Sequence, residues 1–275
     1  MVQLAFVFPG QGAQKPGMGK AIYEGSAAAK ALMDRAEALL PGILEACFEG
    51  PMERLTRTDI AQPALFMVEC ACAAAAGERG LTARAVAGFS LGEWSACHQA
   101  GMMGFEQAFS LVVRRGQMMQ ACAQEHPGGM AAVLRLDADA VKQALEGHPG
   151  VWAVNFNAPD QTVVAGVLSD LDRFEAALKA AGGRSLRLNV GGAFHSPLMR
   201  EAGDGLLQAL AAQDVRTPRI PVYGNAEAQP YEAGRAKELL ALQVTRPVRW
   251  TDTLRNMAKD GIDAFLELGP GKVLS

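Results

Sequence analysis

Val86-Ala87-Gly88-Phe89-Ser90-Leu91-Gly92-Glu93 closes an apolar run on Gly-x-Ser-x-Gly and leads at once into a helix-competent segment, Leu91–Gln99. A serine so placed sits on a tight strand-to-helix turn, the sequence form of a nucleophile elbow. The two glycines remove side chains that would clash in such a turn. The hydroxyl is thereby exposed, and the next backbone N–H is free to face a developing oxyanion.

Outward from this turn, strand-like and helix-like segments alternate, which predicts an α/β architecture. Strands are expected at Gln3–Phe8, Ala85–Phe89, Ile220–Gly224 and Ala264–Leu268. Helices are expected at Ala21–Leu39, Ala61–Glu78, Leu91–Gln99, Phe105–Gln124, Pro197–Ala212 and Thr251–Lys259. Between His126 and Val190 the rhythm changes to strand (Met130–Leu136), helix (Ala138–Glu146), strand (Val151–Asn157), strand (Thr162–Gly166), helix (Ser169–Ala181), strand (Arg184–Val190). That β-α-β-β-α-β order is ferredoxin-like. Turn signals flank it, His126-Pro127-Gly128-Gly129 and Gly191-Gly192. The expectation is a discontinuous body, 1–126 with 192–275, holding an insert at 127–191.

The chain has 275 residues, 49% of them hydrophobic, enough to bury a substantial core. With a net charge of −3 and no basic run, nothing suggests nucleic acid. The apolar N-terminus lacks a basic leader and runs into Pro9-Gly10, so it reads as a first strand. The Ala-rich Cys70–Gly77 is too short to span a bilayer. Five cysteines without a Cys-x-x-Cys pair read as buried free thiols of a reducing cytoplasm, and no metal site is expected.

A serine hydroxyl needs a base within hydrogen-bond reach. His126 and His148 stand in His-Pro-Gly turns, and His98 lies more than two turns beyond Ser90 on one helix. His195, in Gly191-Gly192-Ala193-Phe194-His195-Ser196-Pro197 between a strand and a helix, is left as the base. Ordinary α/β-hydrolases place their histidine after an acid, near the C-terminus. No histidine follows His195 here, so a backbone carbonyl fixing the imidazole tautomer is the alternative to a carboxylate.

On the helix from Phe105, Arg114 shares a face with Gln107, Ser110 and Gln117, whereas Arg115 falls in line with Ala108, Leu111, Val112, Met119 and Cys122. A guanidinium on an apolar stripe keeps its charge and needs an anionic partner. Two partners are open: an internal Asp or Glu, or a substrate carboxylate in a bidentate clamp. The first loop, Phe8-Pro9-Gly10-Gln11-Gly12-Ala13-Gln14, lacks the third glycine and the lysine of phosphate-binding motifs. It could instead bring the Gln11 N–H beside the elbow, completing an oxyanion hole with the Leu91 N–H.

Together these segments resemble the malonyl-CoA:acyl carrier protein transacylase family and the acyltransferase domains of fatty-acid and polyketide synthases. The shared pieces are Phe8–Gln14, Gly88–Glu93, Arg115-Gly116, Asn155-Phe156-Asn157-Ala158-Pro159 and Ala193-Phe194-His195-Ser196. Gln243, Pro247-Val248-Arg249-Trp250 and Gly269-Pro270-Gly271-Lys272-Val273-Leu274 complete the match in family order. The resemblance implies an α/β-hydrolase-like body with a parallel-rich sheet and the ferredoxin-like insert. It implies that Ser90 is acylated, His195 is the base, Arg115 holds the malonate carboxylate, and Gln11 with Leu91 forms the oxyanion hole. It further implies that the Gln243 carbonyl orients His195, that Asn157 supports the site, and that Phe194 selects malonyl over methylmalonyl.

The implied reaction is ping-pong transfer of malonyl from malonyl-CoA to the phosphopantetheine thiol of acyl carrier protein. No cofactor is implied, and a cytoplasmic monomer is expected. Two departures stand out. Phe89 precedes the serine where the family usually has His, and the chain stops at Ser275 where relatives usually continue into a further helix. An acyl hydrolase of the same fold and a non-catalytic carrier-protein docking module are the competing readings.

Overall fold

Two sheets of opposite character hold the molecule together, and the computed structural model describes residues 2–232 and 234–274. The chain begins with β1 (Leu4–Phe8), α1 (Lys20–Gly25), α2 (Ala27–Leu39), α3 (Ile43–Glu49), α4 (Met52–Thr56) and α5 (Thr58–Glu78). It continues through β2 (Ala85–Gly88), α6 (Gly92–Gln99) and α7 (Phe105–Glu125). The middle comprises β3 (Gly128–Leu134), α8 (Ala138–Ala144), β4 (Val151–Ala158), β5 (Gln161–Val167), α9 (Leu168–Ala180) and β6 (Arg184–Arg187). The last part holds α10 (Arg200–Ala211), β7 (Val222–Tyr223), α11 (Ala236–Leu242), α12 (Trp250–Lys259) and β8 (Ala264–Glu267).

The first sheet has the order β7-β2-β1-β8, with every neighbouring pair parallel. Alternate residues of β1 and β2 serve opposite faces, as strand geometry requires. Phe6, Phe8 and Val86 join the large core with Leu65, Phe66 and Trp94, while Ala5, Val7, Ala85 and Ala87 pack on Val248, Trp250 and Met257. Both faces are therefore covered, which suits continuous apolar strands. Helix α5 is long and apolar enough to cross a bilayer, but 78% of its apolar window is buried, against α2, α6 and α7. It is a core helix.

The second sheet has the order β4-β5-β3-β6 and is antiparallel throughout, the ferredoxin-like arrangement expected from the rhythm of the middle segment. One face packs α8 and α9 through Val133, Val141, Val164, Leu171 and Phe174. The other turns Met130, Ala132, Val163 and Ala165 into the main core. Edge strand β4 is tied to the segment before α12, with Phe156 N–H donating to Val248 O at 2.9 Å and Val248 N–H to Val154 O at 2.8 Å. The site lies where these sheets meet.

Several boundaries differ from expectation for identifiable reasons. The helix expected over Ala21–Leu39 is broken at Ser26, whose hydroxyl accepts from Ala29 N–H at 3.0 Å and so starts a new helix. Helix α5 begins at Thr58, before the expected Ala61, because the Gln120 side chain takes up the Thr58 N–H at 3.0 Å. Gly128 and Gly129 belong to β3 and not to a turn, since Gly128 lies so close to the Gly166 carbonyl that a Cβ would stand 2.8 Å from it. Strand β6 stops at Arg187 and β7 covers only Val222–Tyr223. Helices α3, α4 and α11 are short pieces that periodicity did not resolve.

The tightest approach of backbone to backbone at a glycine is at the elbow. A Cβ on Gly88 would stand 1.9 Å from the Gly92 carbonyl carbon, one on Gly92 2.2 Å from Phe8 O, and one on Gly10 2.7 Å from Phe89 O. These obstacles are backbone and cannot swing aside. Gly92→Ala is expected to cost more than about 3 kcal/mol, lowering the thermal midpoint by roughly 6 °C or preventing folding. A variant melting within about 2 °C of the parent would contradict that packing.

Candidate active site

The elbow delivers Ser90 in the left-handed region at φ 52°, and the loop before α10 delivers His195 at φ 61°. Both side chains are buried, and His195 Nε2 lies 2.8 Å from Ser90 Oγ. The other ring nitrogen, Nδ1, lies 2.9 Å from the Gln243 backbone oxygen. A carbonyl can only accept, so Nδ1 carries the hydrogen and the Nε2 lone pair faces the serine hydroxyl. No carboxylate performs this task. Burial first, and the Arg115 cation second, push the His195 pKa down to about 4, leaving a neutral imidazole at physiological pH. His98 lies elsewhere, with Nδ1 3.0 Å from Met103 O, and His126 faces Glu201.

Arg115 is 1% exposed, as the apolar stripe implied, whereas Arg114 is exposed. Nη1 donates to Gln62 Oε1 at 2.6 Å, and Nη2 donates to Gln243 Oε1 at 2.9 Å and Ser90 Oγ at 3.1 Å. Among the described residues Arg115 makes no salt bridge, so the internal ion pair that the sequence left open is not seen there. Among the described residues Nε has no partner. Burial lowers the guanidinium pKa to about 10, which still leaves it charged at neutral pH. A buried cation surrounded by neutral oxygens is the electrostatic signature of the site.

The Leu91 N–H opens α6, and close contact of Gly10 with Phe89 brings the Gln11 backbone beside the elbow. The Gln11 side chain is turned away, donating to Thr58 Oγ1 at 3.3 Å. Ser90 and His195 border a chamber of about 70 Å3 walled by Gln62, Met119, Met130, Phe89, Asn155 and Phe194. Gln11, Phe89 and Asn155 also line an adjoining cavity of about 600 Å3 that reaches Trp250 and Leu274. Asn157 borders only this outer cavity, with Nδ2 3.2 Å from Gln161 Oε1. The asparagine beside the serine is Asn155, whose buried Oδ1 has no protein partner.

Four residues were not singled out from the sequence. Gln62 is a polar residue inside an apolar helix, a signal that was legible. Asn155 sits in a segment already matched, but strand alternation alone does not say which asparagine faces inward. Glu93 belongs to the elbow motif and carries no role there by pattern. Asn225 lies in a loop after a two-residue strand, and nothing local marks it.

The fold and this constellation define an acyltransferase: residues 5–275 match the family described as "Acyl transferase domain", and the chain belongs to it. It is 40% identical to the malonyl CoA-acyl carrier protein transacylase of Bacillus subtilis (strain 168), over 100% of this chain and 89% of that protein. Among solved structures, the malonyl CoA-acyl carrier protein transacylase of Clostridium perfringens superposes with a TM-score of 0.95 at 34% identity, covering 99% of this chain and 88% of that one. A type II PKS acyl-carrier protein in complex with its malonyl-transacylase gives a TM-score of 0.95 at 35% identity, covering 99% and 90%.

The depressed His195 pKa has a kinetic consequence. Only the neutral imidazole can take the serine proton, so reactivity is present above the folded pKa and lost as pH falls through it. The labelling rate of Ser90 by a neutral fluorophosphonate should halve near pH 4, well below the ordinary histidine value. A half-point at the ordinary histidine value of 6.5 would show an imidazole without these surroundings.

Proposed function

We propose that the chain transfers a malonyl group from malonyl-CoA to the phosphopantetheine thiol of acyl carrier protein, in fatty-acid or polyketide synthesis. The observation that carries this reading is Arg115, a buried guanidinium facing Ser90 with no carboxylate of its own. A substrate carrying a free carboxylate beside its thioester supplies what is missing.

In the first half-reaction Ser90 Oγ attacks the thioester carbonyl as its proton passes to His195 Nε2. The oxyanion is received by the N–H groups of Gln11 and Leu91, and the Gln243 carbonyl balances the imidazolium through Nδ1. The C–S bond then breaks, and the departing sulfur takes the proton from His195, giving CoA thiol and malonyl-Ser90. In the second half, the carrier-protein thiol gives its proton to His195 and attacks the ester. Ser90 Oγ leaves and recovers the proton. One thioester replaces another, so the exchange needs no cofactor. The outer cavity, about 600 Å3 with mixed apolar and amide lining, would take a pantetheine arm, and Phe194 walls the chamber where an α-methyl group would have to fit. Asn157 would meet the arm and not the acyl group, in keeping with its place on the outer cavity. A cytoplasmic monomer belongs to the same proposal, and five free thiols, four of them buried, support the reducing compartment.

Hydrolysis on the same scaffold uses the same hydroxyl and imidazole, but it gives no reason for an uncompensated guanidinium against Ser90 Oγ. Intact mass after incubation with malonyl-CoA should show a malonyl adduct that Ser90→Ala abolishes and that carrier protein discharges faster than water does. Loss to water at an equal rate would favour the hydrolase. Arg115→Ala should cut kcat/KM for malonyl-CoA on the order of 100-fold while raising relative activity with acetyl-CoA. An unchanged preference between the two would refute the clamp.

A further inference from the structure

We propose that Glu93 is a positioning residue for acyl selectivity: through the Gln243 side chain it fixes the aim of Arg115, without touching substrate. The inference rests on the malonyl-transfer reading and extends it to a residue outside the reacting set.

Gln243 touches the base, the cation and the nucleophile turn. Its backbone oxygen accepts from His195, its side-chain oxygen accepts from Arg115 Nη2 at 2.9 Å, and its Nε2 donates to Ser90 O at 2.7 Å. The same Nε2 donates to Glu93 Oε2 at 2.6 Å. A carboxamide has one donating and one accepting end. With two acceptors, the Ser90 carbonyl and the Glu93 carboxylate, holding the nitrogen, the oxygen must point at the guanidinium. Among the described residues Arg115 has no acid in contact, so the Gln62 and Gln243 oxygens, with Ser90 Oγ, set the direction of its two terminal nitrogens.

Glu93 is suited to anchor this arrangement. It is 1% exposed, and all its partners donate to it: Asn225 N–H to Oε2 at 3.1 Å, Gln243 Nε2 to the same oxygen, and the Tyr231 hydroxyl to Oε1. Asn225 in turn grips the elbow, accepting from Ser90 N–H at 2.7 Å and donating to Gly88 O at 2.6 Å. The His195 alignment, by contrast, uses the Gln243 main chain, which Glu93 does not touch. Losing the Glu93 grip should therefore disturb the clamp more than the hydroxyl–imidazole pair.

Two near-isosteric variants separate reach from charge. Glu93→Asp keeps the charge but withdraws the carboxylate from Gln243. Glu93→Gln loses the charge but can place its oxygen where Oε2 was, still accepting from Gln243 and Asn225. The readouts are the malonyl-to-acetyl ratio of kcat/KM and the labelling rate of Ser90 by a neutral fluorophosphonate. The ratio should fall about tenfold or more in E93D and stay within about threefold of wild type in E93Q, with labelling within about threefold in both. An unchanged ratio in E93D overturns the proposal. So does an E93Q as damaged as E93D, which would assign the effect to charge, or a loss of labelling in parallel with the ratio, which would make Glu93 merely structural. Failure of the transferase reading shows separately, as a wild-type protein that forms no malonyl adduct.

Discussion

The Phe8 carbonyl oxygen occupies the space a methyl group on Gly92 would need, and that close approach organises the molecule. It draws the end of β1 onto the first turn of α6 and sets the Gly10 loop against Phe89. The left-handed backbone at Ser90 follows from the same crowding, because only a sharp reversal lets helix follow strand at this distance. Such a conformation costs of order 1–3 kcal/mol and persists only when its surroundings over-determine it. Here the surroundings are explicit: the Ser90 N–H is held by the Asn225 side chain and the Ser90 carbonyl by Gln243.

The second constraint is electrostatic. A guanidinium 1% exposed and bonded only to neutral groups is unfavourable in the free protein, and the fold tolerates it by surrounding it with oriented oxygens. Burial raises the Glu93 carboxyl to about 7, and its ionised form favours the cation, with the Gln243 side chain between them. After burial, the same cation is the second cause that depresses the His195 pKa, so the group proposed to recognise a carboxylate also helps keep the imidazole unprotonated.

Much of this was visible in the chain because it rests on local rules. The elbow is a steric requirement written in adjacent residues, and the ferredoxin-like sheet follows from a run of alternating strands and helices. Arg115 was separable from Arg114 by helical periodicity alone. His195 emerged because only four histidines exist and three were badly placed. Gln62, by contrast, is 53 residues from Arg115, Asn225 is 135 from Ser90, and Gln243 is 150 from Glu93. Glutamines and asparagines at such separations look like ordinary polar residues until the fold gives them partners. The choice of Asn155 over Asn157 belongs to the same class, since β4 carries register shifts between Ala153 and Asn155 and between Phe156 and Ala158 that no pattern announces.

The sequence by itself determined the elbow serine, its turn, the buried cation and the succession of strands and helices along the chain, because each depends on backbone sterics or periodicity within a few residues. Only the tertiary structure decided which neutral groups surround the cation, which asparagine faces the serine, and how Glu93 reaches the site. Those are matters of hydrogen-bond geometry between distant segments, and they exist only once two sheets have packed against one another.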